Sequence, residues 1–176
     1  MAIIPIRLVP DPVLRQKAKR VKVFDSSIQK LVKDMLETMH AAAGVGLAAS
    51  QVGVPLRVVV IGLPEEENIA LINPQIISKT GERVVEEGCL SIPGYVGEVK
   101  RAIKVSVKAR DCSGKEIRIK GDDLLAHALE HELDHIDGIL YIDHLESPDK
   151  LKKVKATDAG TKPRQRKVTV EKEEEE

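Results

Sequence analysis

The chain has 176 residues, 42% of them hydrophobic, and its 28 basic and 28 acidic side chains cancel to zero formal charge. That length suits one domain plus a tail, and the charge balance argues against a DNA-binding or membrane-surface protein. No apolar run approaches the roughly 18 residues of a membrane span, and Phe24, Tyr95 and Tyr141 are the whole aromatic complement, so aliphatic side chains must fill the core.

The opening residues, MAIIPIRLVPDPVL, lack the basic region, long apolar stretch and small-residue cleavage site of a secretory signal. With two cysteines, Cys89 and Cys112, the expected setting is a reducing cytoplasm, which leaves Cys89 free to act as a thiolate. Pro5, Pro10 and Pro12 punctuate the N-terminal arm, which reads as extended chain with a turn. Asp25 or Ser26 caps a helix whose stripe of Ile28, Leu31, Val32, Met35, Leu36 and Met39 has period 3.6.

The glycine-rich GVGLAASQVG (44–53) leads into RVVVIGL (57–63), a buried-strand pattern, and IALINPQII (69–77) and GERVVEEGCLSI (81–92) continue in extended character. Ile103, Val105, Val107 and Ala109 alternate with polar residues as a half-buried antiparallel strand. DCSG (111–114) turns the chain into EIRI (116–119), its hairpin partner. A second helix opens after Gly121 and Asp122, runs over about 123 to 137 and stops at Gly138.

Residues 148–155 allow a short helix. Beyond it apolar residues become sparse, so 1–156 is expected to be a single catalytic domain and 157–176 a charged, mobile tail. There is no internal repeat. Strands followed by a late helix predict an α+β fold: antiparallel or mixed sheets packed around a central helix that carries the chemistry, with one N-terminal amphipathic helix.

That chemistry is written in HALEHELDHIDG (127–138). His131, Glu132 and His135 form H-E-x-x-H, which on a helix turns two imidazoles to one face and sets a general base beside them. A catalytic metal site usually has three protein ligands, and only two are here. The longer zinc-peptidase pattern H-E-x-x-H-x-x-G-x-x-H finds Gly138 in place, but Tyr141 holds its last slot and His144 comes three residues late. Pairing His127 with His131 would put Ala128 where the base belongs. Cys89, in EEGCLSIPG (86–94), remains as a soft donor, although a lone cysteine is commonly a small buried hydrophobe.

Three separated motifs, GVGLAASQ (44–51), EGCLS (87–91) and HELDH (131–135), with DPVLR (11–15) ahead of them, resemble the peptide deformylases in the family's own order, in the smaller bacterial form. The resemblance implies that Cys89, His131 and His135 bind one divalent metal ion, commonly ferrous iron, with Ni2+, Co2+ or Zn2+ able to replace it. Ligand chemistry alone would have suggested zinc. It also implies hydrolysis of the N-formyl group from the N-terminal formylmethionine of newly made polypeptides, releasing formate. Glu132 would take and deliver the proton, and the Gln51 side chain and Leu90 backbone N–H would hold the oxyanion.

By the same resemblance Gly44, Val45 and Gly46 would receive the peptide as an added strand. Leu124 and His127 would border the methionine pocket, and Glu87 with Arg101 would form a supporting ion pair. Members often carry Gln where this chain has Glu130, just before the first histidine ligand. Two other readings compete: a peptidase that cleaves internal bonds, and a metal or redox sensor built on Cys89, which would leave Glu132 and Gln51 without roles. In the tail, Lys150, Lys152, Lys153, Lys155, Arg164, Arg166 and Lys167 offer a transient contact to ribosomal RNA, but EKEEEE offsets their charge and favours a solvated segment.

Overall fold

The computed structural model describes residues 2–154. Helix α1 (Ser26–Ala41) starts where Asp25 accepts a hydrogen bond from the Ser27 N–H at 3.0 Å. Its stripe buries Ile28, Val32, Met35 and Met39. Strands β1 (Gly46–Ala48), β2 (Val58–Ile61), β3 (Ile69–Thr80), β6 (Lys104–Arg110) and β7 (Glu116–Asp122) form one antiparallel sheet in the order β1-β2-β3-β6-β7. A second sheet joins β4 (Arg83–Cys89), β5 (Ile92–Arg101) and β8 (Lys152–Lys153).

Helix α2 (Asp123–Ile136) lies across the large sheet on the face opposite α1. Strand β2 explains why its text is apolar without alternation. Val59 and Ile61 pack in the same cluster as Ala126, Leu129, Leu133 and Ile136 of α2, whereas Val58 and Val60 pack with the α1 stripe. Both faces of the strand are covered, so all four residues are buried.

The end of α2 is tied down by distant chain. The Ala18 N–H and the Arg57 guanidinium both donate to the Ile136 carbonyl, at 2.8 and 3.2 Å. Gly138 turns away with φ +76°, and a methyl there would lie 2.5 Å from the Arg15 carbonyl oxygen.

Two stretches hold structure that the sequence reading left unassigned, and a third differs from its expectation. The segment 44–53 is not a plain connection: it holds β1 and a 3-10 turn, Ala49–Val52. Strand β5 has no alternating pattern because Pro93, Gly94 and Gly97 interrupt it, yet it pairs with β4 along Arg83↔Arg101 to Cys89↔Ile92. No helix spans 148–155; a 3-10 turn, Pro148–Lys150, precedes β8, where Lys152 and Lys153 pair with Val96 and Tyr95. Leu151 is the sole apolar residue between Pro148 and Lys153, too few to hold a helical face. The proposed tail, 157–176, lies outside the described residues, as do the last two residues of the 1–156 domain. Among the described residues no helix is long and apolar enough to cross a membrane.

Candidate metal centre

Helix α2 turns His131 and His135 to one face a single turn apart. Strand β4 delivers Cys89 at its last residue, immediately before the tight turn through Leu90 and Ser91 into β5. The ligand atoms of Cys89, His131 and His135 all lie within 4.8 Å of one another. His135 Nε2 is 3.2 Å from His131 Nε2 and 3.3 Å from Cys89 Sγ. Donors at about 2.0–2.1 Å from a tetrahedral ion sit roughly 3.3 Å apart, so the spacing fits one metal. Two imidazoles and a thiolate suit zinc or ferrous iron alike.

Behind the histidines stands Glu87, also on β4 and 2% exposed. Burial alone would raise its carboxyl. Arg101 overrides that, donating from Nε to Oε2 at 2.6 Å and from Nη2 to Oε1 at 2.8 Å, and with His127 and His131 it holds Glu87 well below the usual carboxylate range. An ionised carboxylate only accepts hydrogen bonds. The His131 Nδ1, against Glu87 Oε1, must therefore carry its hydrogen. Burial opposes a charge on this ring, but Cys89, Glu87 and Glu132 together hold it well above the usual range, so a cation at Nε2 would have to displace a proton there. His135 is buried, and burial pushes its ring well below the usual range, favouring the neutral form a metal needs.

Arg101 also donates to Asp134 at 2.8 Å, and Asp134 in turn meets His144 Nε2 at 2.8 Å. His144 is therefore occupied away from the cluster. Arg101 is 4% exposed and holds two carboxylates. Arg101→Leu is expected to cost about 3–5 kcal/mol, the toll of leaving a buried charge unpaired. A fall in the urea midpoint at unchanged slope would register it, and an unchanged midpoint would mean that water replaces the guanidinium.

Glu132 is buried, and that burial, opposed by His131, pushes its carboxyl up to about 7. Its Oε1 lies 3.9 Å from His131 Nε2, and its Oε2 has no hydrogen-bond partner among the described residues. An orphaned carboxylate oxygen beside three converging donors fits a site that takes a polar ligand. Gly46 makes the room: a methyl there would lie 2.6 Å from Glu132 Oε1 and 2.9 Å from its Cγ. Gly46→Ala is expected to displace this carboxylate and cut kcat on the order of a hundredfold, as misplacement of about 1 Å can do, while the metal stays bound. Formate release beside metal analysis separates the two effects.

The Gln51 side chain is fixed at one end, where its Oε1 accepts from the Ala48 N–H at 3.0 Å. Its Nε2 is thereby turned toward the cluster, 3.6 Å from Cys89 Sγ and 3.1 Å from Ser91 Oγ. Leu90 packs over Gly44, where a methyl would meet Leu90 Cδ1 at 2.8 Å. Val45 accepts a backbone hydrogen bond from Gly62, which starts β1 as the edge of its sheet. Leu124, in the first turn of α2, is 41% exposed. His127 presents Nε2 to Glu87 Oε2 at 2.9 Å. Glu130 points away from the cluster, accepting from the Ala102 N–H at 2.7 Å and pairing with Lys79.

Sequence reasoning passed over Asp134, Ser91 and Tyr141. Asp134 reads as an ordinary charged helix residue. Tyr141 had a signal, since it fills the slot that the longer zinc pattern gives to a third histidine; it stacks on His131 with ring centroids 6.5 Å apart.

The family model for polypeptide deformylases matches residues 3–151. The chain belongs to that family. Its members are metal-dependent hydrolases that remove the N-formyl group from newly made polypeptides, and this chain is such a hydrolase. A peptide deformylase from Dehalococcoides mccartyi is 58% identical over 155 residues, covering 88% of this chain and 93% of its own. Solved deformylases superpose over most of the chain. The enzyme from Legionella pneumophila gives a TM-score of 0.82 at 51% identity, covering 85% of this chain and 89% of its own. The Synechococcus elongatus deformylase, solved in complex with actinonin, gives 0.81 at 40% identity over 84% of this chain and 81% of its own.

Proposed function

We propose that Cys89, His131 and His135 hold one divalent ion, ferrous in the cell, and that Glu132 is the catalytic base of deformylation. The carrying observation is the Glu132 Oε2, unpartnered among the described residues, beside three donors at metal spacing. A bound ion would polarise the formyl oxygen and acidify water. Glu132 takes the proton from the water that attacks the formyl carbon. It then delivers that proton to the amine nitrogen as the C–N bond breaks, leaving formate and a free N-terminus. The Gln51 Nε2 and the Leu90 N–H stabilise the oxyanion that forms between those steps.

Gly44 and Val45, leading into β1, and Gly46, its first residue, take the N-formylmethionyl peptide as an added strand along this sheet edge, and Leu124 lines the methionine pocket. Nascent chains in a bacterial cytoplasm are the substrates this assignment requires.

Formate release from formyl-Met-Ala-Ser, set beside the unformylated peptide, tests the reaction. Release from the formylated peptide alone is expected, whereas cleavage inside either peptide would favour an endopeptidase. Metal analysis of anaerobically purified protein tests the ion, and stoichiometric zinc with full activity would displace iron from the proposal.

A further inference from the structure

We infer that His127 is a positioning residue that completes the shell of donors around Glu87 and so steadies His131 as a ligand. The inference rests on the metal centre proposed above. The family resemblance puts His127 at the border of a methionine pocket, but its ring is turned inward: Nε2 lies 2.9 Å from Glu87 Oε2, and the side chain is 17% exposed.

Glu87 is a buried carboxylate with about four lone-pair sites to satisfy. His131 Nδ1 and Arg101 Nη2 take Oε1, Arg101 Nε takes one side of Oε2, and His127 Nε2 lies 2.9 Å from that same oxygen. Gln51 is bonded to Ala48 and Ser91, Glu132 lies beside His131 and Tyr141 stacks on it, and among the described residues none of the three is bonded to Glu87. His127 and His131 are four residues apart on α2, so one helix face clamps both oxygens of the same carboxylate. The Arg101 fork fixes Glu87 along one edge, and the two histidines fix it against the helix. Removing His127 frees Oε2 on the helix side, and Glu87 can then rock about the Arg101 fork, carrying the His131 ring with it.

A pocket residue and a positioning residue respond differently. A pocket residue alters KM and the preference for the methionine side chain. A positioning residue alters how long the ion stays and how fast the bound substrate reacts. Two variants separate them. Leucine fills the space without a donor, while glutamine can set an amide N–H near where His127 Nε2 lies.

Holoenzyme loaded with Co2+ would be mixed with excess chelator and the loss of the cobalt–thiolate absorption followed, with kcat and KM measured on formyl-Met-Ala-Ser. For His127→Leu the release rate is expected to rise about tenfold, the low end of the roughly 10–100-fold cost of losing an outer partner, with KM within about twofold of wild type. His127→Gln is expected to restore slow release. Wild-type release from His127→Leu, or equally fast release from both variants, would overturn the inference, as would a change confined to KM or side-chain preference. Failure of the wild type to hold cobalt at all would instead sink the metal centre on which the inference stands.

Discussion

Glu132→Gln is expected to keep its metal and to lose turnover by at least about a hundredfold, the loss typical of a missing general base. The amide is nearly isosteric with the carboxyl, so the room left by Gly46 suffices and the helix has no reason to move. What changes is the ability to accept a proton. The native carboxyl is buried, and that burial pushes it up to about 7, close to the pH at which a base can both take a proton and give it back. Its Oε2 is not spent on any partner among the described residues, so it is available to a water at the cluster. Metal content and formate release measured on one sample separate chemistry from binding. Near-normal turnover would remove Glu132 from the mechanism and leave its burial without a purpose.

Much of this was legible in the sequence because local rules sufficed. The α1 stripe follows from period 3.6 and an Asp25 cap, and β6 with β7 follows from alternation across an Asp111 turn, where the Ser113 N–H donates to Asp111 at 2.9 Å. His131, Glu132 and His135 sit within five residues, so one helix turn specifies their arrangement. The third donor was different. Nothing in the spacing of a lone Cys89 says that a strand some forty residues upstream ends against α2, and the family resemblance was needed to assign it.

Strand β5 was unreadable for a related reason. Its glycines serve neighbours in space: a methyl at Gly97 would meet Leu145 Cδ2 at 2.6 Å, and Leu145 lies far along the chain. The direction in which His127 turns was also hidden, because a helix position gives a face and does not say which buried carboxylate lies against it.

Cys89→Ala is expected to weaken metal binding by more than the roughly 10–100-fold that follows loss of an outer partner, since here a proposed ligand itself is removed. Two imidazoles on one helix face remain, but the sulfur 3.3 Å from His135 Nε2 is the proposed donor from the strand side. Alanine fits the space, so the turn through Leu90 and Ser91 and the Glu87–Arg101 pair should persist, and the variant should melt as the metal-free wild type does. Two controls sharpen the result. Cys112 packs at the edge of the α1 cluster, and burial pushes its thiol up, so Cys112→Ala should stay loaded. His144 is bonded to Asp134, so His144→Ala should stay loaded as well. Equilibrium dialysis against buffered Zn2+ or Co2+ reads all three variants on one scale. If His144→Ala emptied the site while Cys89→Ala remained full, the third donor would have to be sought after α2, and the strand-borne thiolate would revert to a half-buried cysteine with no part in the chemistry.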